Sequence, residues 1–109
     1  MPKTPKTKML VYSNALEGKD DAFNRWYDEI HLGEVIQMSK AVAATRYRLS
    51  DDQAAEVDGF WYLAIYEFEV GAKEAFDSLM AATGKMDMGD SLGETKIAFY
   101  DEITARVTG

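Results

Sequence analysis

Apolar and polar residues alternate along the chain in a way that divides it into strand-like and helix-like segments. Residues 9–14 and 41–49 are short and contain Val, Tyr and Leu, so they predict two strands. Residues 19–37 repeat their apolar side chains every three to four positions, which is the period of an amphipathic helix. The first half of the chain is therefore expected to run strand, helix, strand.

The first helix carries start and stop signals. Asp20 or Asp21 is placed to cap its N-terminus, because a carboxylate accepts hydrogen bonds from the free backbone N–H groups of the first turn. Gly33 is expected to break or kink the helix, leaving residues 34–38 as a short continuation. The buried stripe of this helix is expected to comprise Ala22, Phe23, Trp26, Tyr27 and Ile30.

The second half of the chain repeats the same order of elements. An acidic loop at 50–59 precedes a strand at 60–69, and a helix at 72–82 follows it. An irregular loop at 83–93 leads to a last strand at 94–107. The strand at 60–69 is apolar on both faces, which is typical of a strand that is covered on both sides. The inner face of the helix is expected to comprise Ala72, Ala75, Phe76, Leu79 and Met80.

The element order βαββαβ predicts an α+β fold of the ferredoxin-like kind, an antiparallel four-stranded sheet with two helices on one face. Two helices cover only one face of such a sheet, so its other apolar face needs a second cover. A second copy of the chain would supply it, and two sheets meeting face to face form a dimeric α+β barrel. We therefore expect one domain over residues 1–109, with residues 1–7 as a flexible tail, that forms an obligate homodimer.

Charge and cysteine content exclude several classes of partner and site. Twelve basic against nineteen acidic residues give a net charge of −7, with no dense basic stripe to neutralise the phosphates of a nucleic acid. The absence of cysteine excludes disulfides, thiolate nucleophiles and cysteine-based metal sites. No apolar stretch has the length of a signal-peptide core or a membrane span, so we expect a cytoplasmic protein with no membrane partner.

His31 is the only histidine in the chain and the first candidate for chemistry. Phe23, Tyr27 and His31 are spaced four residues apart, so they share one helix face. As a general acid or base, His31 would lie at the mouth of a hydrophobic pocket with the hydroxyl of Tyr27 or Tyr12 as its hydrogen-bond partner. As a structural residue, it would instead be a helix C-terminal histidine whose charged form is favoured by the helix dipole and by Asp28 or Glu34. A lone histidine with scattered carboxylates is not a metal site, and we expect no metal and no cofactor.

Two polar residues also have two interpretations each. Arg46 would grip a substrate carboxylate if its strand face lines the barrel; otherwise it would form an ion pair with Asp101 or Glu67. Asn14 would be either an oxyanion donor or a turn-former. The residues expected to bind a flat, apolar substrate are Asn14, Phe23, Trp26, Arg46, Tyr62 and Tyr66.

Three segments of the chain together carry a family resemblance. They are residues 13–18, which begin Ser-Asn and end in Gly, residues 23–35, which read Phe-Asn-Arg-Trp-Tyr-Asp-Glu-Ile-His-Leu-Gly-Glu-Val, and residues 44–49, which read Ala-Thr-Arg-Tyr-Arg-Leu. These segments resemble the EthD-like branch of the dimeric α+β barrel superfamily, and the second half of the chain fits that branch by element order. Prolines common in the branch are replaced at Ala15, Gly33 and the Ser39-Lys40-Ala41 turn.

The resemblance implies a class of site rather than one reaction. The superfamily includes cofactor-free polyketide cyclases, lactone isomerases, decarboxylases of aromatic acids, quinone-forming monooxygenases and haem-handling proteins. The EthD-like branch is named after a protein required alongside an oxygenase in ether degradation. Many of its members have no assigned activity.

Three hypotheses about function follow. The leading one is a small cofactor-free enzyme, a cyclase, isomerase, dehydratase or decarboxylase, in which His31 transfers a proton on a hydrophobic aromatic or polyketide-like substrate. The second is a non-catalytic protein that binds a small molecule or supports an oxygenase or degradation pathway. The third is a purely structural dimer. A pocket beside His31 that contains another polar group would favour the first.

Overall fold

The computed structural model describes residues 6–57 and 59–109. Its strands are β1 (Thr7–Ala15), β2 (Ala41–Arg48), β3 (Tyr62–Phe68) and β4 (Leu92–Asp101). Its first helical stretch comprises α1 (Asp20–Trp26), a π-helical turn (Tyr27–His31) and α2 (Leu32–Met38), and its second is α3 (Ala72–Ala82). The predicted ferredoxin-like α+β fold is confirmed.

The four strands form one sheet in the order β2-β3-β1-β4, and every neighbouring pair is antiparallel. Met9 in the central strand β1 pairs with Tyr66 on one side and with Phe99 on the other, so these three side chains share one face. Both helical stretches pack on that face, which we call the covered face. The largest fully buried apolar and aromatic side chains of the core are Met9, Phe23, Tyr27, Val35, Tyr66 and Phe68.

The opposite face of the sheet, which we call the open face, has no cover within the described parts of the chain. Leu10, Leu63 and Ile65 are half-buried there, whereas Tyr47 is 50% exposed and Trp61 is 58% exposed. Both faces of β3 were expected to be covered, but the described parts of this chain cover only one of them.

The first and last strands differ from their predicted bounds. Thr7 pairs with Phe68 and Asp101 and is 1% exposed, so residues 6 and 7 belong to the sheet rather than to the expected tail. Residues 1–5 of that tail lie outside the described residues. The last strand, expected over residues 94–107, begins at Leu92 and ends at Asp101.

The helices also differ from the prediction in detail. Gly33 does not break the first helical stretch but lies inside α2. Asp20 and Asp21 do not cap α1, because Lys19 occupies the cap position and makes no side-chain cap bond. Ala22 and Ile30 are exposed rather than buried. On α3, two of the expected inner residues, Phe76 and Met80, are each 46% exposed.

Candidate functional site

His31 is the last residue of a π-helical turn, Tyr27–His31, on the helical stretch that packs on the covered face. The backbone N–H of Leu32 donates to the carbonyl of Tyr27, five residues back, so this turn holds one residue more than an α-helical turn. The extra residue rotates the following side chains by one position. Ile30, which was expected in the buried stripe, is 38% exposed, whereas His31, on the face expected from its spacing to Phe23 and Tyr27, is half-buried. Such turns occur frequently at functional sites.

The imidazole of His31 lies against two aromatic rings. It stacks on the indole of Trp26 at a centroid distance of 4.5 Å and 20°, and it meets the Tyr27 ring edge-on at 5.0 Å and 83°. Its Nδ1 atom is buried without a hydrogen-bond partner. Burial lowers the pKa of His31, and the carboxylate of Glu34 only partly opposes this effect. The ring is consequently neutral at neutral pH, with one nitrogen free to accept a proton.

Two buried tyrosine hydroxyls lie close to each other, and one of them belongs to Tyr27, whose ring His31 meets edge-on. The hydroxyl of Tyr66 donates to that of Tyr27 at 3.5 Å, a distance at the weak end for such a bond. Burial raises the pKa of both phenols above the ordinary value of 10.0. Both hydroxyls therefore keep their protons at neutral pH and remain available as donors.

Arg46 reaches from β2 to the same helix. Its guanidinium lies 4.4 Å from the centroid of the Tyr27 ring, donates to Asp28 at 2.7 Å and donates to Asn24 at 2.8 Å. The ion-pair interpretation of Arg46 is therefore the one that the structure contains, although its partner is Asp28 rather than Asp101 or Glu67. Because Asn24 and Asp28 are four residues apart, they present both acceptors on one helix face.

Phe23 and Tyr62 form the other end of this aromatic group. Their rings lie 5.0 Å apart, and the Tyr62 hydroxyl donates to Asp20 at 2.7 Å and accepts from Asn24 at 3.3 Å. The structure thus brings together seven residues singled out in the sequence. They are Phe23, Trp26, Tyr27, His31, Arg46, Tyr62 and Tyr66.

Tyr12 and Asn14 are separated from this group by the sheet. Successive β1 side chains alternate between faces, so Tyr12 lies on the open face, where its ring packs 5.9 Å from Phe60 and 5.5 Å from the Lys96 ammonium. Within one chain Tyr12 is not positioned to bond His31. Asn14 donates to the carbonyl of Gly59 at 2.7 Å and accepts from the backbone N–H of Trp61 at 2.8 Å, so it fixes the loop before β3.

The open face carries a hollow of about 570 Å³, within the size range of small-molecule sites. Most of its lining is apolar or aromatic, and Lys96 contributes positive charge, while Arg48 borders it from the edge strand β2, where it pairs with Tyr62. The Arg48 guanidinium lies 3.8 Å from the Asp51 carboxylate, which partly neutralises its charge. The aromatic residues of the lining are Tyr12, Tyr47, Phe60, Trp61 and Tyr62.

The sequence analysis did not identify the contacts that Asn24, Asp28 and Asp87 make with this group. Asn24 and Asp28 were detectable from their spacing, since side chains at i and i+4 share a helix face. Asp87 was not detectable, because its backbone N–H bonds Glu34 and its carbonyl accepts from the Trp26 indole across 53 and 61 residues. Such long-range contacts leave no local pattern.

Two absences are limited to the part of the chain that the structure describes. Residues 6–57 and 59–109 contain no group of three or more His, Asp or Glu side chains arranged to hold a metal ion. No helix in these ranges is long and apolar enough to span a membrane.

Comparisons with known proteins establish the fold class. No family profile and no curated protein matches the chain. Among solved structures, an ethyl tert-butyl ether D (EthD) family protein from Bacillus halodurans is 15% identical with a TM-score of 0.57, over 90% of this chain and 99% of the other. A protein of unknown function from Nitrosomonas europaea is 13% identical with a TM-score of 0.57, over 99% of both chains.

HapK from Hahella chejuensis is 12% identical with a TM-score of 0.54, over 94% of this chain and 99% of the other. These alignments confirm the EthD-like resemblance at the level of the fold. They cover nearly the whole chain, including the second half, which the motifs did not reach.

Proposed function

We propose that the protein is a cofactor-independent enzyme that transfers a proton on a flat, hydrophobic substrate, aromatic or polyketide-like, with His31 as general acid and base. The observation that carries this proposal is the buried Nδ1 of His31, which has no partner. Nearly all buried polar atoms in folded proteins are hydrogen-bonded, so an unpaired one requires an explanation. A polar atom of a bound substrate would supply the missing hydrogen-bond partner of Nδ1.

The protonation states around His31 suit such a transfer. A neutral imidazole takes a proton from one position of the substrate and returns it at another, which yields an isomerisation, cyclisation, dehydration or decarboxylation. The protonated hydroxyl of Tyr27, whose pKa burial raises, would donate a hydrogen bond to the oxygen on which charge develops. Trp26 and Tyr27 are only 7% and 2% exposed, so a planar substrate would pack against their rings only after a neighbouring segment moves aside.

We also propose that the active form is a homodimer joined through the open face. The apolar side chains exposed there include Tyr47 and Trp61, and a second sheet would remove them from water. Burial of apolar surface contributes about 25 cal/mol per Å².

A second candidate is supported by the hollow on the open face, which lies on the other side of the sheet from His31. In that case the protein binds an aromatic small molecule between Tyr12, Phe60 and Trp61 without chemistry and delivers it to, or accompanies, an oxygenase or degradation enzyme.

The experiment begins with a thermal-shift panel of aromatic and polyketide-like compounds. Each compound that binds is incubated with the protein in D₂O, and deuterium incorporation at its acidic C–H positions is followed by mass spectrometry. We expect His31→Ala to slow incorporation by about 10²- to 10⁴-fold, the usual contribution of a general acid or base, while ligand affinity stays within a few-fold.

Two tyrosine variants provide matched controls. Tyr27→Phe removes the hydroxyl of the tyrosine whose ring His31 contacts and should slow incorporation, whereas Tyr47→Phe removes a hydroxyl of an exposed residue on the open face and should not. Equal rates in wild type and His31→Ala would remove His31 from the mechanism. Binding without any exchange would instead favour the accessory protein.

A further inference from the structure

Residues 83–91, which we call the strap, connect α3 to β4 and pack against the first helical stretch. Both ends are fixed: the backbone N–H of Thr83 donates to α3, and the carbonyl of Ser91 accepts from Leu16 at 2.8 Å. Between these ends the strap contains no helix or strand. Its residues are exposed except for the half-buried Met86 and the buried Ser91.

Three polar contacts hold the middle of the strap. The carbonyl of Asp87 accepts from the indole Nε1 of Trp26 at 2.8 Å, and its backbone N–H donates to the Glu34 carboxylate at 2.8 Å. Further along, the Lys19 ammonium donates to the Asp90 carbonyl at 3.3 Å. Trp26 and Glu34 belong to the first helical stretch, and Lys19 is its N-cap residue. The strap is therefore bonded to the element that carries His31.

The strap contacts Trp26, and Trp26 contacts His31. Gly89 approaches the indole so closely that a Cβ on it would lie 3.1 Å from Trp26 Cδ1. The same indole stacks on the imidazole at 4.5 Å. A shift of the strap therefore moves the ring against which the imidazole rests.

Two glycines give the strap the freedom to move. Gly84 and Gly89 have φ values of +92° and +61°, which other residues adopt rarely. They lie on either side of the Asp87 latch. Few buried contacts, exposed backbone and glycines at both sides are the features of segments that open locally.

We propose that the strap is the movable wall of the His31 site, and that Glu34 and Trp26 are positioning residues that hold this wall closed and set the orientation of the imidazole. Opening the Asp87 latch would free the indole and admit a substrate to the ring. The statement about the substrate rests on the proposed function, whereas the coupling from strap to His31 does not.

Hydrogen exchange of the two indole N–H groups, followed by NMR, measures the latch directly. Trp26 is bonded to the strap, and Trp61, which is 58% exposed, is the reference in the same spectrum. Glu34→Ala removes the acceptor for the Asp87 N–H, and Glu34→Gln keeps an acceptor while removing the charge. We expect Glu34→Ala to speed Trp26 exchange about two- to tenfold, with little change in Glu34→Gln or at Trp61.

The second measurement is the pH titration of the His31 ring by NMR in the same proteins. Other ionisable groups near it are Tyr27 and, on the strap, Asp87. Both Glu34 variants lose the charge that opposes burial, so both lower the His31 pKa. Only Glu34→Ala also frees the indole, so we expect its titration curve to differ from that of Glu34→Gln.

Gly89→Ala tests the indole contact without touching Glu34. Its Cβ must displace the Trp26 ring, whereas a Cβ at Gly18, with a similar φ of +76°, meets nothing within 4 Å. We expect Gly89→Ala to shift the His31 ring resonances and Gly18→Ala to leave them unchanged. Identical His31 titrations in both Glu34 variants together with unchanged resonances in Gly89→Ala would overturn the proposal. If no compound of the thermal-shift panel binds, the proposed enzymatic function is contradicted, whereas the coupling between the strap and His31 is not affected.

Discussion

The two faces of the sheet carry similar apolar residues but lie in different surroundings. On β3, Tyr66 and Phe68 point to the covered face and are 1% and 0% exposed, whereas Leu63 and Ile65 point to the open face and are only half-buried. The difference teaches that a strand pattern specifies which side chains need cover but not what covers them. One cover is the chain's own helices, and we propose that the other is a second chain.

The faces also differ in what their polar groups can do. On the covered face, the Arg46 guanidinium, the Tyr27 and Tyr66 hydroxyls and the His31 ring lie among aromatic side chains, where electrostatic interactions are stronger than in water. On the open face, Lys96 borders a hollow that is open to solvent. Chemistry that needs water excluded is therefore better served by the covered face.

The largest expected effect is on the stability of the covered face. Phe68→Ala deletes a fully buried ring and should lower the free energy of unfolding by about 3–5 kcal/mol in urea denaturation. Ile65→Ala, on the same strand, should cost less at low protein concentration, where no second chain covers it. If both substitutions cost the same at every concentration, the two faces do not differ in the way described.

The second prediction concerns the partner of the open face. Ile65→Lys places a charge within that face. In a homodimer, this charge would lie against apolar surface of the second chain or against the same lysine of that chain. We expect the dimer dissociation constant to rise about 30-fold or more, measured by analytical ultracentrifugation. Ala81→Lys, on the exposed side of α3, is the matched control and should change nothing. A wild-type protein that sediments as a folded protomer at micromolar concentration contradicts the proposed dimer.

The third prediction concerns Arg46, which links β2 to the first helical stretch. Arg46→Met keeps the apolar stem but removes the bonds to Asp28 and Asn24 and the cation over the Tyr27 ring. We expect a loss of about 1–2 kcal/mol in the free energy of unfolding, since the side chain is only 13% exposed. Asp28→Asn, at a position that is 60% exposed, should cost much less. Equal losses would mean that the ion pair, and not the packed guanidinium, carries the interaction.

Local patterns predicted the elements well but not the rotation of the first helix. Apolar residues that recur every two positions located the strands, and those that recur every three to four positions located the helices. Both patterns involve only residues close to one another in the sequence. The π-helical turn is different, since its residues Tyr27 and His31 contact Trp26, and Tyr27 also contacts Tyr66 and Arg46 of the sheet, which no local period encodes. An α-helical period therefore placed Ile30 inside, and the glycine at position 33 was assigned the irregularity that occurs a few residues earlier.

The candidate site was predicted in its residues more than in its geometry. His31, Tyr27 and Trp26 were identifiable because adjacent helical turns bring them together. Strand parity alone could have excluded Tyr12 as a partner of His31, since Tyr12 alternates with the buried Val11 and Ser13. The latch between Glu34 and Asp87 depends on tertiary contacts that no short motif encodes.

The smallest expected effect is the pH dependence that His31 imposes on stability. Its pKa in the folded protein is lowered below the ordinary value of 6.5, so below that pH the unfolded chain binds this proton more readily than the folded one. The stabilisation by the neutral ring is therefore complete above pH 6.5 and is lost as the pH falls through the folded pKa. The other ionisable groups are common to wild type and His31→Gln, so the difference between the two proteins in urea midpoints isolates the histidine. That difference in urea midpoint should shrink as the pH is lowered from 7.5. A difference that stays constant would mean that the imidazole is as well solvated in the folded protein as in the unfolded chain. The two faces of the sheet would then no longer differ in how strongly they perturb a charged group.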